Sequence, residues 1–486
     1  MPSRRHTASA VLALATSLAL LTGCTTGTSG AESAPATDGS GRDVGVDLFQ
    51  WTWNSVAREC TEQLGPAGYA WVLVSPPQEH IVGSEWWTSY QPVSYRLESR
   101  LGTAAEFEAM VATCHRAGVE VWADAVINHM SGRDAADVGW AGSPYEHYGY
   151  AGLYENDDFH HCRLTANDDI GDYRDAAQVQ TCELVNLADL DTASPHVRDR
   201  IVAYLNSLVA LGVDGFRIDA AKHVPASDLA AIIGALPEGI GIVQEVIRGS
   251  REPIQPEDYV DNGLVFEFGW GRDLVGALQG AMGVGLDLAS NDGGLLPSDS
   301  AVIFVDNHDT ERGDSTLSYR SGELYELGNV LMLASAYGSP VVYSGYAFSD
   351  RDAGPAQDAD GRVLDASCAS APRPDEPLAD GDWVCPHRWD DLAAMVAWRG
   401  VVGSAEQTDR WHDGEALAFG RGARGFLALN LADEPLEVSL ATRLPDGDYC
   451  DVLADGCDDP AEVRGGRIAL TVAPRSASAW DVGHLR

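Results

Sequence analysis

Polar side chains that could carry out acid–base chemistry recur directly after short apolar runs of the 486-residue sequence. Three of them are carboxylates in three separate segments: Asp219, Glu245 and Asp309. Cleavage of a glycosidic bond needs such a set, because one carboxylate attacks the sugar carbon while a protonated acid gives its proton to the leaving oxygen. Asp and Asn at these positions are also common helix caps, which is the alternative for any one of them. Their joint occurrence favours a glycosidase site.

Other polar side chains occupy equivalent positions after the apolar runs. They are Asp124, Asn128, His129, Arg217, Gln244, Asp306, Asn307 and His308. Acids, amides, imidazoles and one arginine therefore recur together, whereas no Ser-His-Asp order and no phosphate-binding glycine loop stands out. An acid near other anions has a raised pKa, so one of these carboxyls could keep the proton that a general acid must donate.

Eight apolar runs are predicted to be buried strands that position these groups. They are Val44–Phe49, Ala70–Val74, Val119–Ile127, Val213–Ile218, Ile240–Val246, Leu264–Phe268, Ala301–Val305 and Pro340–Tyr343. Helical patterns lie between most of them. Thr103 and Glu106 have the spacing of a capping box, and Ser194 precedes a proline as an N-cap does. Ser227 and Ser321 are two further candidate caps. Eight strands alternating with helices predict an α/β fold, and eight is the number that closes a TIM barrel.

Two stretches depart from this alternation. The connection 129–192 is rich in Gly, Asp, Asn, Tyr and His. So long a connection is uncommon in a compact domain, so we predict a functional insertion. After about residue 402 the sequence changes to short alternating runs, which predict a separate antiparallel β domain.

Composition and charge exclude several classes of protein. The sequence carries 32 Lys and Arg against 73 Asp and Glu, for a formal net charge of −41. This balance argues against a nucleic-acid partner, because binding phosphate backbones needs clustered cations. Hydrophobic residues make up 45% and charged residues 22%, which is typical of a globular protein rather than a disordered or fibrous one.

The amino terminus predicts export. Arg4 and Arg5 precede the apolar run Ala10–Leu21, as in a secretory signal, and the run is short for a membrane span. The run ends in Leu-Thr-Gly-Cys24, which resembles a bacterial lipoprotein signal with lipid attached to Cys24. We therefore predict a signal peptide at 1–23, a flexible tether at 24–42 and a lipid anchor, the alternative being an ordinary secretion signal that is cut later. The other eight cysteines favour disulfides over a zinc cluster, because they are even in number and lack a C-x-x-C pair.

Four segments carry a resemblance to a known family. In order and spacing they resemble the four signature segments of the α-amylase family of glycoside hydrolases: Asp124–His129, Gly215–His223, Gln244–Val246 and Phe304–Asp309. Three more are similar to segments of the α-amylases of animals and actinomycetes: Phe49–Trp53, Trp86–Tyr95 and Trp383–Trp389. The similarity spans residues 44 to about 485.

The resemblance implies a division of the chain into domains. A TIM barrel would be built from 43–128 and 193–401, a B domain would be inserted at 129–192, and a C-terminal β-sandwich would occupy 402–486. It also implies the pairing of the eight cysteines, which spacing alone leaves open. The implied pairs are Cys60–Cys114, Cys162–Cys182, Cys368–Cys385 and Cys450–Cys457.

The resemblance further implies catalytic roles. Asp219 would be the nucleophile of a retaining mechanism, Glu245 the general acid and then the general base, and Asp309 a ligand of sugar hydroxyls. Arg217, two residues before Asp219 on one strand, would face the same side and hold Asp219 ionised. The implied substrate-binding residues are Trp86, Trp87, Tyr90, Gln91, Asp124, His129, Arg217, Lys222, His223 and His308.

The resemblance also bears on two ions, calcium and chloride. A structural calcium ion is implied, because Asn128 and Asp189 match side-chain ligands and Gln180 and His223 match backbone-carbonyl ligands, an oxygen-only set that suits Ca²⁺. Chloride is doubtful. Arg217 and Asn307 match two of its ligands in the animal-type enzymes, but Val341 falls at the third, basic position and leaves a buried anion poorly compensated.

The predicted activity is endo-hydrolysis of α-1,4-glucosidic bonds in starch, glycogen and maltodextrins. We expect a monomer that is secreted or anchored to the outer face of the cell membrane. The alternatives are a transglycosylase or oligosaccharide-specific relative, and a starch-binding protein with an inactive site. The presence of all three carboxylates and both histidines argues against the inactive protein.

Overall fold

The computed structural model describes residues 42–133, 135–290, 294–313, 315–368 and 378–486. The predicted signal peptide, Cys24 and the tether up to residue 41 lie outside these ranges. Within them, every helix is too short or too polar to cross a membrane.

Eight parallel strands close into a barrel at the predicted places. They are β1 (Gly45–Leu48), β2 (Trp71–Val74), β3 (Glu120–Ala125), β4 (Gly215–Ile218), β5 (Gly241–Gln244), β6 (Leu264–Phe266), β7 (Ala301–Phe304) and β8 (Ser339–Tyr346). Each strand pairs in parallel with the next, and β1 also pairs with β8, so that Gly45 lies opposite Val341. The TIM-barrel prediction is confirmed. Polar side chains follow β4, β5 and β7 at the carboxyl end of the barrel, where such folds place reactive groups.

Large aromatic side chains fill the amino end of the barrel. Trp71 of β2 and Trp122 of β3 stack with ring centroids 4.8 Å apart. A Cβ atom at Gly215 would lie 2.4 Å from the Trp122 ring, and one at Gly241 would lie 2.2 Å from it. Strands β4 and β5 therefore begin with glycine because the indole occupies the space of a side chain. Aromatic side chains thus fill the amino end of the barrel, whereas the predicted reactive groups follow the carboxyl ends of the strands.

Helices alternate with the strands as predicted, and two predicted caps are wrong. The longer helices are Trp53–Glu59, Ala104–Arg116, Ala176–Thr181, Pro195–Ala210, Ala226–Ile233, Phe268–Leu278, Met282–Leu288, Glu323–Ala334 and Asp390–Val402. The capping box is present, since Thr103 N–H donates to Glu106 at 2.8 Å. Ser227 and Ser321 are not caps: the first helix begins after Pro225, and Gly322 caps the second. Proline and glycine set these boundaries, which outweighs the local preference of serine.

The insertion leaves and re-enters the barrel at neighbouring residues. It contains a small antiparallel sheet (Asp137–Val138, Pro144–Glu146 and Gly149–Tyr150) and the helix Ala176–Thr181. His129 forms a β-bridge with Asp189, and Leu190 N–H donates to the carbonyl of Asn128 at 3.0 Å. The two ends are thus fastened to each other beside the carboxyl end of β3.

Four disulfides form, in the pairs that the resemblance implied. They are Cys60–Cys114, Cys162–Cys182, Cys368–Cys385 and Cys450–Cys457. Cys162–Cys182 lies within the insertion, next to the predicted calcium ligands in sequence.

The C-terminal region forms two four-stranded antiparallel sheets. Its strands are β9 (Gln407–His412), β10 (Ala416–Arg421), β11 (Gly425–Asn430), β12 (Leu436–Ala441), β13 (Gly447–Tyr449), β14 (Ala461–Arg464), β15 (Arg467–Val472) and β16 (Ser476–Asp481). The sheet orders are β9-β10-β11-β16 and β12-β15-β14-β13. Trp398 of the last barrel helix donates to the carbonyl of Trp480 at 3.0 Å, which ties these sheets to the barrel.

Candidate active site

A cleft of about 890 Å³ lies at the carboxyl end of the barrel. Eleven of the predicted catalytic and substrate-binding residues line it: Trp86, Trp87, Tyr90, Gln91, His129, Asp219, Lys222, His223, Glu245, His308 and Asp309. Asp124 and Arg217 are not among the lining residues. The chain therefore brings the three predicted catalytic carboxylates to one cavity, from the ends of three different strands.

One guanidinium organises the carboxylates. Arg217 Nη1 donates to Asp219 Oδ1 at 2.9 Å and to Asp124 Oδ1 at 2.7 Å, and Arg217 Nη2 lies 3.0 Å from Glu245 Oε2. The Arg217 and Asp124 side chains are each only 3% exposed. Because Arg217 pairs with both Asp124 and Asp219, it holds these carboxylates in place at the base of the cleft. Ala220 N–H also donates to Glu245 Oε2 at 2.9 Å.

The charge balance of this group favours a bound proton. Burial raises the pKa of Asp219 well above its usual range; Arg217 opposes that shift, and the charges of Glu245 and Asp124 add to it. Three carboxylates share one cation, so at least one of them takes up a proton more readily than in water. The predicted role of Arg217 in holding Asp219 ionised is thus opposed by burial, which raises the pKa of Asp219 although the guanidinium lies beside it.

The two predicted sugar-binding imidazoles are neutral. Burial, and then the charge of Arg217, lowers the pKa of His308 well below its usual range. The His308 ring stacks on Phe49, with centroids 4.6 Å apart and planes 5° apart. Burial lowers the pKa of His129 to about 4. His129 Nε2 donates to the carbonyl of Tyr90 at 3.0 Å, so a bond from this nitrogen to a sugar would have to replace or share that bond.

Several residues that line the cleft carry no signal in the sequence. Lys222 Nζ donates to the carbonyl of Ile247 at 2.7 Å and forms an ion pair with Glu252. Glu252 therefore neutralises the charge of Lys222, a pairing that the sequence alone does not indicate. The other unpredicted lining residues are Tyr173, Leu184, Val185, Leu187, Ala220, Ile247, Arg248, Gly249, Arg351 and Asp352. They lie mainly on loops, where no apolar periodicity marks what faces the cleft.

Two of the predicted calcium ligands, Asn128 and Asp189, lie where the insertion joins the barrel. Asn128 and Asp189 are each 2% exposed. The Asn128 amide nitrogen donates to His129 Nδ1 at 3.2 Å, which leaves the amide oxygen as the end available to a cation. Burial raises the pKa of Asp189 to about 7, with His160 Nδ1 at 2.6 Å as its partner. A buried carboxylate beside an amide oxygen fits a hard cation.

The described residues contain no group of three or more His, Cys, Asp or Glu that could hold a metal. The predicted set is not a group of that kind, because it holds one acid, Asp189, and one histidine, His223, which would bind through its carbonyl. Its two backbone ligands lie on adjoining segments, since His223 Nδ1 donates to the carbonyl of Val179, one residue before Gln180, at 2.9 Å.

A second, small cavity of about 20 Å³ lies beneath Arg217. Val341, at the predicted third chloride position, is 3% exposed and lines it together with Asp47 and Asp306. Burial raises the pKa of Asp47 to about 8. Asp306 Oδ2 is buried with no hydrogen-bond partner among the described residues. Asp47 was not predicted, although an acid within the apolar run of β1 could have marked it. Arg217, the guanidinium that lines this cavity, is already paired with Asp124, Asp219 and Glu245, so a buried anion here would be poorly compensated.

Comparison with known proteins agrees with this geometry. Residues 86–245 match the family model "Alpha amylase, catalytic domain", and residues 411–483 match "Alpha amylase, C-terminal all-beta domain". The chain is 45% identical over 475 residues to an α-amylase of Streptomyces violaceus, covering 96% of this chain and 79% of that protein. It is 44% identical to an α-amylase of Thermomonospora curvata, with the same coverage of both chains.

The solved structures point the same way. The crystal structure of a mutant of α-amylase I from Eisenia fetida, in complex with maltohexaose, superposes with a TM-score of 0.85 at 32% identity. The alignment covers 91% of this chain and 97% of that one. The chain thus combines the barrel, the insertion, the C-terminal sheets and the clustered carboxylates. It also shares sequence identity with α-amylases along nearly its whole length. The chain belongs to the α-amylase family of glycoside hydrolases.

Proposed function

We propose that this protein hydrolyses internal α-1,4-glucosidic bonds of starch, glycogen and maltodextrins with retention of anomeric configuration. The observation that carries the proposal is the arrangement of Asp219 and Glu245, which bind the two ends of one buried guanidinium at the base of the cleft. A nucleophile and a proton donor fixed to one rigid cation can act on the same bond without reorganising first.

The chemistry then proceeds in two displacements. Glu245 donates its proton to the glycosidic oxygen while an Asp219 oxygen attacks the anomeric carbon, so the bond to the leaving sugar breaks as a glycosyl ester forms. In the second step Glu245 takes a proton from water, the water oxygen attacks the same carbon, and Asp219 departs as the carboxylate. Two inversions restore the α configuration.

The other lining residues hold the glucan. Asp309, whose side chain is 40% exposed, can accept hydrogen bonds from sugar hydroxyls. Trp86 offers an apolar face to pyranose rings and is held in place through its Nε1, which donates to the carbonyl of Arg351 at 3.0 Å. Binding energy at these positions can be used to distort the ring toward the oxocarbenium-like transition state.

A calcium ion is proposed to hold the insertion on the barrel. Asn128 and Asp189 would bind it through their side chains, and Gln180 and His223 through their carbonyls. When bound, the ion would supply positive charge to the buried carboxylate of Asp189, and its role would be structural. The four disulfides fit an exported protein. A lipid on Cys24 remains our proposal for its attachment to the membrane.

Product analysis tests the proposed function. With amylose as substrate, we expect early release of oligosaccharides of mixed length and a fall in iodine staining that precedes complete conversion to small sugars. Proton NMR of the first products should show α-anomers that mutarotate afterwards. Early β-anomers would contradict the retaining mechanism. Products longer than the substrate, formed from a single maltodextrin, would instead identify a transglycosylase.

Chloride is expected to have little effect on activity. In chloride-free acetate or sulfate buffer of equal ionic strength, the rate on starch should stay within about twofold of the rate in chloride. The reason is the small cavity beside Arg217, in which Val341 supplies no charge and the guanidinium is already paired with three carboxylates. Activation of more than about fivefold by added chloride would contradict this interpretation.

A further inference from the structure

Arg100 is a buried cation whose guanidinium, within the described part of the chain, donates only to uncharged oxygens. It is 1% exposed and is not among the residues that line the cleft. Burial lowers the pKa of Arg100 to about 10, so the side chain stays charged at neutral pH. A buried charge without a counter-charge costs free energy, so the geometry of its hydrogen bonds, rather than neutralisation of an acid, must account for this side chain.

The guanidinium links the segment after β1 to the segment that carries Trp86. Arg100 Nη2 donates to Gln50 Oε1 at 2.6 Å, and Nε donates to the same oxygen at 3.2 Å. Nη1 donates to the carbonyl of Glu85 at 3.0 Å, and Nη2 also donates to the carbonyl of Trp86 at 3.2 Å. A planar fork of five N–H donors can serve both segments at once, whereas a lysine ammonium is a point charge on a flexible chain.

The tryptophan bound in this way forms part of the cleft wall. Trp86 begins a short 3₁₀ helix, Trp86–Tyr90, and lines the cleft. Its N–H donates to the carbonyl of Asp352 at 3.3 Å, and its Nε1 donates to the carbonyl of Arg351 at 3.0 Å. Both of these loop residues are exposed. Arg100 therefore supplies a hydrogen-bonded link from Trp86 to the interior of the barrel.

Gln50 is a well-fixed anchor for this link. It is fully buried and has φ of 62°, and its N–H donates to Ser75 Oγ at 2.8 Å, directly after β2. A left-handed backbone in a residue other than glycine is uncommon, and such residues concentrate at functional sites. Ser89 Oγ, in the same 3₁₀ helix as Trp86, donates to Gln50 Oε1 at 3.2 Å. One buried amide oxygen thus receives donors from Arg100 and from the helix that Arg100 holds.

We propose that Arg100 is a positioning residue that fixes the orientation of the Trp86 ring toward a glucose unit of the bound α-glucan. This inference rests on the proposed function, in which Trp86 offers an apolar face to pyranose rings. Arg100 does not contact the glucan; it acts through the carbonyl oxygens of Glu85 and Trp86. Contact between a flat ring and a sugar depends on orientation, so a shift of this peptide weakens glucan binding without altering the carboxylates that break the bond.

A double-mutant cycle between Arg100 and Trp86 tests the inference, with binding of maltoheptaose measured by calorimetry. All variants are made in the Asp219→Asn background, so that the ligand is not consumed. Arg100→Met should raise the dissociation constant about fivefold when Trp86 is present and less than about twofold beside Trp86→Ala, because the ring that it positions is then absent. The melting temperature should fall by the same amount in both cases.

A second buried arginine provides a matched control. Arg421 is 1% exposed and donates to the carbonyls of Ala334 at 2.8 Å, Ser335 at 2.9 Å and Gly403 at 2.7 Å. Like Arg100 it is a buried cation bound to carbonyl oxygens, but it lies where β10 meets the barrel helices and does not line the cleft. Arg421→Met should therefore lower the melting temperature and leave the dissociation constant unchanged.

Equal effects of Arg100→Met with and without Trp86 would overturn the inference, because Arg100 would then act on the cleft as a whole. An unchanged dissociation constant in Arg100→Met or in Trp86→Ala would overturn it as well. If Arg100→Met does not fold, Arg100→Lys, which keeps the charge without the fork, is judged by the same rule. Cleavage of maltoheptaose by the unmodified protein is assayed separately. Its failure would contradict the proposed function, whereas the dissociation constants would still decide the role of Arg100.

Discussion

Replacement of Asp219 by Asn is expected to lower kcat on starch by about 10⁴-fold or more. The amide oxygen is a poor nucleophile, so the glycosyl ester cannot form and only the binding groups of the cleft remain. We expect the melting temperature to change little. Asp219 already has a raised pKa in its buried position, and Arg217 keeps its pairing with Asp124 when the charge of Asp219 is removed. Initial rates on amylose, together with thermal melts, measure both quantities.

Asp124→Asn is the matched control for that experiment. It removes a carboxylate from the same guanidinium, but Asp124 does not line the cleft. We expect a much smaller loss of kcat, of about 10- to 100-fold, since a positioning residue acts only through the groups that it orients. Residual activity of Asp219→Asn within tenfold of the unmodified protein would contradict the assignment of the nucleophile. Equal losses in the two variants would contradict the distinction between them.

Removal of calcium is expected to destabilise the protein and abolish activity. An ion present at a thousand times its dissociation constant stabilises the folded state by about 4 kcal/mol. For a chain of this size that corresponds to a fall in melting temperature of about 4 °C. The insertion supplies groups that face Gln91 and groups that line the cleft. It can hold them in place only while it is fastened to the barrel, so activity should be lost along with stability. Melting curves and starch assays in excess chelator, with calcium added back, measure both effects.

Two variants distinguish the calcium site from a general effect of the chelator. Asp189→Asn removes the buried acid of the predicted set, and its melting temperature should no longer respond to chelator. Asp191→Asn alters the neighbouring partner of the same His160, with a side chain that is 35% exposed, and should keep the full response. A chelator-insensitive melt of the unmodified protein would count against the calcium site.

The barrel and the catalytic centre could be predicted because they depend on local patterns. Strands buried on both faces appear as continuous apolar runs; the first seven runs each contain a strand, and the eighth lies within β8. Reactive groups sit directly after those strands, so their position followed once the strands were assigned. Asp219 after β4 and Glu245 after β5 are the clearest instances.

What the sequence did not predict depends on distances between segments far apart in the chain. Glu252 reaches Lys222, and Asp47 faces Arg217, only because loops and strands bring them together. The raised pKa of Asp219 follows from its burial and then from the neighbouring charges of Arg217, Glu245 and Asp124, which no single motif contains together. The uncharged hydrogen-bond partners of Arg100 likewise come from segments that only the fold brings together. Local pattern thus identified the reacting groups, whereas tertiary contacts set their electrostatics and their surroundings.

The two ends of the insertion contact each other, which affects how the substrate preference of such enzymes can change. His129 and Asp189 bridge each other, so the segment between them departs and returns through a fixed footprint. A module with adjoining ends can be lengthened, shortened or exchanged without altering the spacing of the strands that carry it. Chimaeras that swap this module between relatives should therefore retain the bond-breaking machinery of the host while acquiring the donor's preference for chain length.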